Sequence, residues 1–160
     1  MPSTKGEENK SVSRRYPDRP FLGVGAIILD GRQVLLCRRG KPPYVGCWSL
    51  PGGIVELGEP VVAALHREVR EETGLEVTIV RLAEIYERII PDGEGRTEYH
   101  YVLLDYLCHV ESGKLKAGDD AAEVRWFAST ELASLEMTPD SLAVIERVLN
   151  THEPLEPRPS

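Results

Sequence analysis

At 160 residues the chain has the length of one domain, and 41% hydrophobic content is enough to bury a core without metal or disulfide staples. Twenty-six acids against nineteen Lys and Arg leave a net charge of −7, which repels phosphate backbones and argues against docking along duplex nucleic acid. Three cysteines without C-x-x-C spacing exclude a disulfide framework, and no apolar run approaches the ~20 residues of a membrane span.

Residues 1–19 read as a mobile polar arm with no apolar stretch of the secretory kind, so a cytoplasmic protein with reduced thiols is expected. The domain is expected over 20–152, with a flexible tail at 153–160. Residues 24–29 are β-branched and aliphatic, Asp30-Gly31 is a hairpin signal, and 33–37 resume as a strand. A basic, proline-containing loop follows (Arg38-Arg39-Gly40-Lys41-Pro42-Pro43), then Trp48 leads to a turn at Pro51-Gly52-Gly53. Residues 60–73 predict a helix, with Pro60 at its first position and Gly74 as its left-handed terminator.

Strands are predicted over 76–87, 98–110 and 123–127, and a closing amphipathic helix over 139–149. In the second of these strands Tyr99, Tyr101, Leu103 and Leu107 share one face, while Val102, Leu104, Tyr106 and Cys108 share the other. Apolar residues on both sides predict an interior strand. Strands and helices mix without repeated βαβ units, which gives an α+β class around a mixed sheet.

The helix at 60–73 carries an anomaly. With Leu65 at 0°, Val61, Val69 and Val62 project at about −40°, +40° and +60° and predict the buried stripe. Glu72 falls inside that stripe at about −20°, Glu68 at its edge near −60°, and Glu71 follows at about −120°. On an exposed helix such like charges cost only ~0.2–0.5 kcal/mol per pair. Partly buried, two carboxylates ~4 Å apart repel by about 4 kcal/mol at an effective dielectric of ~20. That arrangement calls for a positive group among the acids. Oxygen-only ligands select a hard cation, Mg²⁺ or Mn²⁺, over zinc.

Gly53, Glu59, Arg67, Glu68, Val69, Glu71, Glu72, Gly74 and Leu75 match the 23-residue Nudix box, G-x5-E-x7-R-E-U-x-E-E-x-G-U with U aliphatic, at every fixed position. A chance match is of order 10⁻⁷ or less at ordinary residue frequencies. The chain thus resembles the Nudix hydrolases over roughly residues 21–150, which implies an α/β/α sandwich around a mixed sheet. The resemblance implies a pyrophosphohydrolase that splits a nucleoside diphosphate linked to another group with divalent metal and water. By motif position Glu68, Glu71 and Glu72 would be metal ligands, and the Gly52 carbonyl a further oxygen. Arg67 would orient a carboxylate, and Glu59 would brace the loop or ligate through water. The proton acceptor stays open between Glu71, Glu72 and a downstream loop acid; Asp120 is the best placed of those, with Asp119 and Glu123 as alternatives. Arg38 and Arg39, with Gly53, are the candidates for contact with substrate phosphate.

The texture of Arg38-Arg39-Gly40, of Trp48 to Gly53 and of Tyr99-His100-Tyr101-Val102 resembles bacterial ADP-ribose pyrophosphatases. The expectation is hydrolysis of ADP-ribose or a related nucleotide sugar to a nucleoside monophosphate and a sugar phosphate. The alternatives are a sanitising hydrolase of oxidised nucleoside triphosphates, such as 8-oxo-dGTP, and a nucleotide-sensing module without catalysis. A homodimer is a family-level expectation only.

Overall fold

A computed structural model describes residues 13–118 and 121–151. Seven strands form one sheet: β1 (Phe21–Asp30), β2 (Gln33–Arg39), β3 (Trp48–Ser49), β4 (Gly52–Ile54), β5 (Leu75–Pro91), β6 (Thr97–Gly113) and β7 (Ala121–Ala128). Helix α1 (Val61–Thr73) follows β4, and α2 (Pro139–Thr151) closes the described chain after a 3₁₀ turn at Ser129–Ser134. The strand order is β3-β2-β1-β6-β5, with β4 paired to β1 and β7 to β2. β1 and β6 run parallel and the other pairs antiparallel, so the sheet is mixed.

Alternation along β1 builds a core on each face. Ile27 and Leu29 join Val34, Leu36, Trp48, Leu107 and Phe127 under Val144, Ile145 and Val148 of α2. Val24, Ala26 and Ile28 join Leu35, Val77 and Cys108 under Ala64, Leu65 and Val69 of α1. Each fully buried aliphatic side chain contributes about 1.5–3 kcal/mol, so both helices are held by their apolar stripes rather than by propensity. The result is the expected α/β/α sandwich. β6 lies inside it, between β1 and β5, as its two apolar faces predict.

Two details of α1 differ from expectation. Pro60 has φ −61° but an extended ψ of 142°, and its carbonyl accepts the first helical bond from the Ala64 N–H. It therefore flanks the helix, which starts at Val61. Val62 is 46% exposed, and the buried end of the stripe is taken by Thr73. The Thr73 hydroxyl is satisfied there by donating to the Val69 carbonyl at 2.6 Å, so a polar residue lies buried without penalty. Gly74 terminates the helix as expected: its φ is 74°, and a methyl group there would lie 2.6 Å from the Lys114 carbonyl oxygen.

Residues 13–16, at the end of the N-terminal arm, lie against the β5–β6 turn. The Tyr16 hydroxyl donates to Asp92 at 2.9 Å, and Arg15 pairs with Glu98 at 2.8 Å. Among the described residues no helix is long and apolar enough to cross a membrane.

Candidate active site

The α1 carboxylates meet the Gly52-Gly53 strand at one end of a cavity of about 530 Å³. β4 brings the two glycines under the helix by pairing with β1, Val24 opposite Gly53 and Gly25 opposite Gly52. Neither position admits a side chain. A methyl group on Gly53 would lie 2.3 Å from Glu68 Cδ, and one on Gly52 would lie 2.0 Å from the Val24 carbonyl oxygen. The glycines thus make room for the Glu68 carboxylate and for close approach of two strands. The Gly52 N–H donates to Glu72 Oε2 at 3.0 Å, so it is this group of Gly52 that meets the helix acids.

Arg67 organises the acids from the neighbouring helix face. Its Nε and Nη2 donate to the two oxygens of Glu59 at 2.7 and 2.9 Å, a bidentate fork. Its Nη1 donates to Glu68 at 2.9 Å and to Glu71 at 3.3 Å, and Nη2 also reaches the Ile54 carbonyl. The fork holds the Glu59 carboxyl down at about 2, and the Glu56 N–H adds to the effect. Glu59 and Arg67 therefore tie the loop after β4 to the helix as a fixed ion pair.

Glu68 and Glu72 are in the opposite situation. Burial raises the Glu68 carboxyl above its ordinary value despite Arg67. Burial pushes Glu72 up to about 7; the Gly52 N–H pulls it back, and the nearby Glu68 adds repulsion. Glu71 stands more open, with its side chain 58% exposed. Among the described residues no three acidic, His or Cys side chains converge as a ready metal cage. Burial nevertheless outweighs the nearby arginines at Glu68 and Glu72, and these two cavity-lining carboxyls fit a hard cation, since both offer only oxygen donors.

Arg38 and Arg39 line the rim of the same cavity, donating through Nε to the Gly46 and Pro43 carbonyls at 3.2 and 2.6 Å. Asp119 and Asp120 lie outside the described residues. Glu123 is on β7, paired with Arg125 at 3.5 Å. Gly118 donates its N–H to the Glu72 carbonyl at 3.0 Å, and Ala121 lines the cavity.

The far end of the cavity is built by residues the sequence reading passed over: Arg88 of β5, Asp105 of β6, and Asp140 and Ser141 at the start of α2. Arg88 pairs with Asp140, both side chains largely buried. A carboxyl inside an interior strand, Asp105 among Leu103, Leu104, Tyr106 and Leu107, was the available signal. Trp48 packs edge-on against Phe127 in the core.

The NUDIX domain family model matches residues 19–148. An ADP-ribose pyrophosphatase from Methanocaldococcus jannaschii is 40% identical over 116 residues, 72% of this chain, which spans 66% of that protein's length. A putative 8-oxo-dGTP diphosphatase 2 from Mycobacterium tuberculosis is 34% identical over 79% of this chain and 89% of its own. The crystal structure of a MutT NUDIX hydrolase from Burkholderia pseudomallei superposes with a TM-score of 0.73. It is 32% identical and covers 82% of this chain and 99% of its own. The matched region contains the carboxylate helix and the glycines beneath it, and the chain is an enzyme of the Nudix hydrolase family.

Proposed function

We propose that the chain hydrolyses the diphosphate of ADP-ribose or a related nucleotide sugar, releasing a nucleoside monophosphate and a sugar phosphate. One observation carries this reading: a single cavity of about 530 Å³ is lined by the buried carboxyls Glu68 and Glu72, by Arg38 and Arg39, and also by Arg88, Asp105 and Asp140. The end near α1 suits a diphosphate, and the remaining length suits a group on its far side. The relative named an ADP-ribose pyrophosphatase supports the choice of substrate.

Nudix hydrolases use divalent metal ions, and Mg²⁺, with Mn²⁺ as substitute, is the cation proposed here. Glu68 and Glu72 would hold it, with Glu71 as third ligand. When bound, it supplies Lewis acidity to the phosphoanhydride oxygens and lowers the pKa of water. Arg67 and Glu59 fix the helix acids, while Arg38 and Arg39 balance the charge of the diphosphate. In the reaction, the oxygen of water forms a bond to one phosphorus and the bridging P–O bond breaks. Its electron pair leaves on the other phosphate. The proton lost by water passes to a carboxylate, for which Glu71, Glu72 and a downstream loop acid, Asp120 with Asp119 and Glu123 as alternatives, are the candidates.

A second reading, cleavage of 8-oxo-dGTP to the monophosphate and pyrophosphate, is favoured by the mycobacterial relative. Incubating a nucleotide panel with Mg²⁺ and identifying products by chromatography separates the two. AMP plus ribose 5-phosphate from ADP-ribose supports the first. Turnover of ADP-ribose no faster than of unrelated diphosphates rejects it. Saturable binding with no product under any metal would instead mark a sensing module.

A further inference from the structure

Strand β6 turns one face to the cavity and presents Tyr99, Tyr101, Leu103 and Asp105 at alternate positions. The two tyrosine rings stack on each other with centroids 6.2 Å apart. Asp105 is only 2% exposed, and its Oδ2 has no hydrogen-bond partner. Its other oxygen fills the space above Gly25, where a methyl group would lie 2.3 Å from Oδ1. Buried polar atoms in folded proteins are paired as a rule, so an orphan oxygen on a cavity-lining residue marks a place where a ligand belongs.

The position of Asp105 follows from the sheet. Gly25 pairs with Gly52 on one side and with Asp105 on the other. The Asp105 backbone thus stands two strand spacings, about 10 Å, from the Gly52 backbone that meets Glu72, and its carboxyl reaches back over Gly25 on the strand between them. Burial first, and then Asp140, push the Asp105 carboxyl up to about 7 against the pull of Arg88. Near neutrality it therefore serves as acceptor or donor. Flat aromatic and apolar neighbours on the same strand suit a planar ring, whose polar edge would then meet the carboxyl.

We propose that Asp105 is a specificity-determining residue that hydrogen-bonds an N–H on the edge of the ligand's nucleobase. The proposal rests on the nucleotide-hydrolase reading for the class of ligand, but its test needs no turnover. Calorimetric titration of the full chain with AMP, GMP, CMP, UMP and ribose 5-phosphate reads base preference directly. The wild type is expected to bind one base at least tenfold more tightly than ribose 5-phosphate. Asp105→Leu, which removes the acceptor at similar size, should lose about tenfold on that nucleotide and leave ribose 5-phosphate unchanged. Gly25→Ala, which displaces the carboxyl without removing it, should do the same, and stands in should Asp105→Leu fail to fold. Equal losses for ribose 5-phosphate would assign Asp105 to the sugar or phosphate and overturn the proposal. So would unaltered binding of all five compounds by both variants, or a wild type without base preference. Base preference lost in Asp105→Leu, in a chain that cleaves no nucleotide, would sustain the role of Asp105 and reject the hydrolase reading alone.

Discussion

The two ends of the cavity use the same materials. At one, Arg67 sits among Glu59, Glu68 and Glu71, with Glu72 buried beside them; at the other, Arg88 and Asp140 lie close to a buried Asp105. Each end keeps one carboxyl raised by burial to about 7. The difference lies in how they are assembled. The first comes from one helix and the loop before it, within a span of fourteen residues from Glu59 to Glu72. The second joins β5, β6 and α2, with Arg88 and Asp140 separated by 52 positions. A local cluster can serve chemistry common to many substrates, while one assembled across the sheet is free to vary with the group it meets.

The sharpest way to break this comparison is at Glu72. Glu72→Gln keeps the size of the side chain and an oxygen that can accept from the Gly52 N–H, but removes a charge expected to hold the cation. Activity on the preferred diphosphate should fall by roughly 10²–10⁴-fold, as when a group acting directly in the reaction is lost. Circular dichroism should show an intact fold. A variant with near-normal kcat would remove Glu72 from the metal site and undo the contrast between a catalytic end and a recognition end.

The second end is tested by stability against pH. The Asp105 carboxyl is raised from an ordinary 3.8 to about 7 in the fold. Between those values the folded state binds the proton more tightly than the unfolded chain. Stability therefore falls as pH rises from about 4 to about 7, and the penalty is complete above the folded value. A shift of this size corresponds to on the order of 4 kcal/mol. Urea unfolding of Asp105→Asn across pH 4 to 8 should lose about half of the downward slope, the rest belonging to Glu72, whose carboxyl is raised over the same range. A slope identical to that of the wild type would show that another group titrates there.

The unequal legibility of the two ends has the same physical origin. Glu68, Glu71 and Glu72 repeat at helical spacing, so their convergence on one side of α1 follows from 3.6 residues per turn and is visible in the sequence. The glycines beneath them, the interior position of β6 and the Gly74 terminator were equally local. Asp105 reaches its place only through the parallel pairing of β1 with β6, which no short pattern specifies. The misplaced features of α1 show the limit of periodicity within one element. Val62 obeys the stripe yet lies exposed, because burial depends on what faces each turn and not on angle alone. Pro60 fixes φ but leaves ψ free, so the helix starts one residue later than the proline suggested.

The smallest effect is expected at Arg70, which shares α1 with Arg67. Both arginines pair with glutamates, and a tally of ion pairs would rank them alike. Arg70 and Glu76 are 57% and 37% exposed, whereas the side chains of Arg67, Glu59 and Glu68 are 23%, 16% and 16% exposed. Water competes for an exposed pair, and such pairs contribute only ~0–1 kcal/mol. Arg70→Gln should therefore leave the midpoint of urea unfolding nearly unchanged and kcat/KM unaltered. Arg67→Lys, by contrast, removes the two-pronged contact with Glu59 and should lower kcat/KM by about 10–100-fold, the usual cost of losing a group that orients a metal ligand. Equal effects of the two substitutions would mean that helix charge alone matters. Unequal ones locate the function of α1 in the geometry of a single guanidinium.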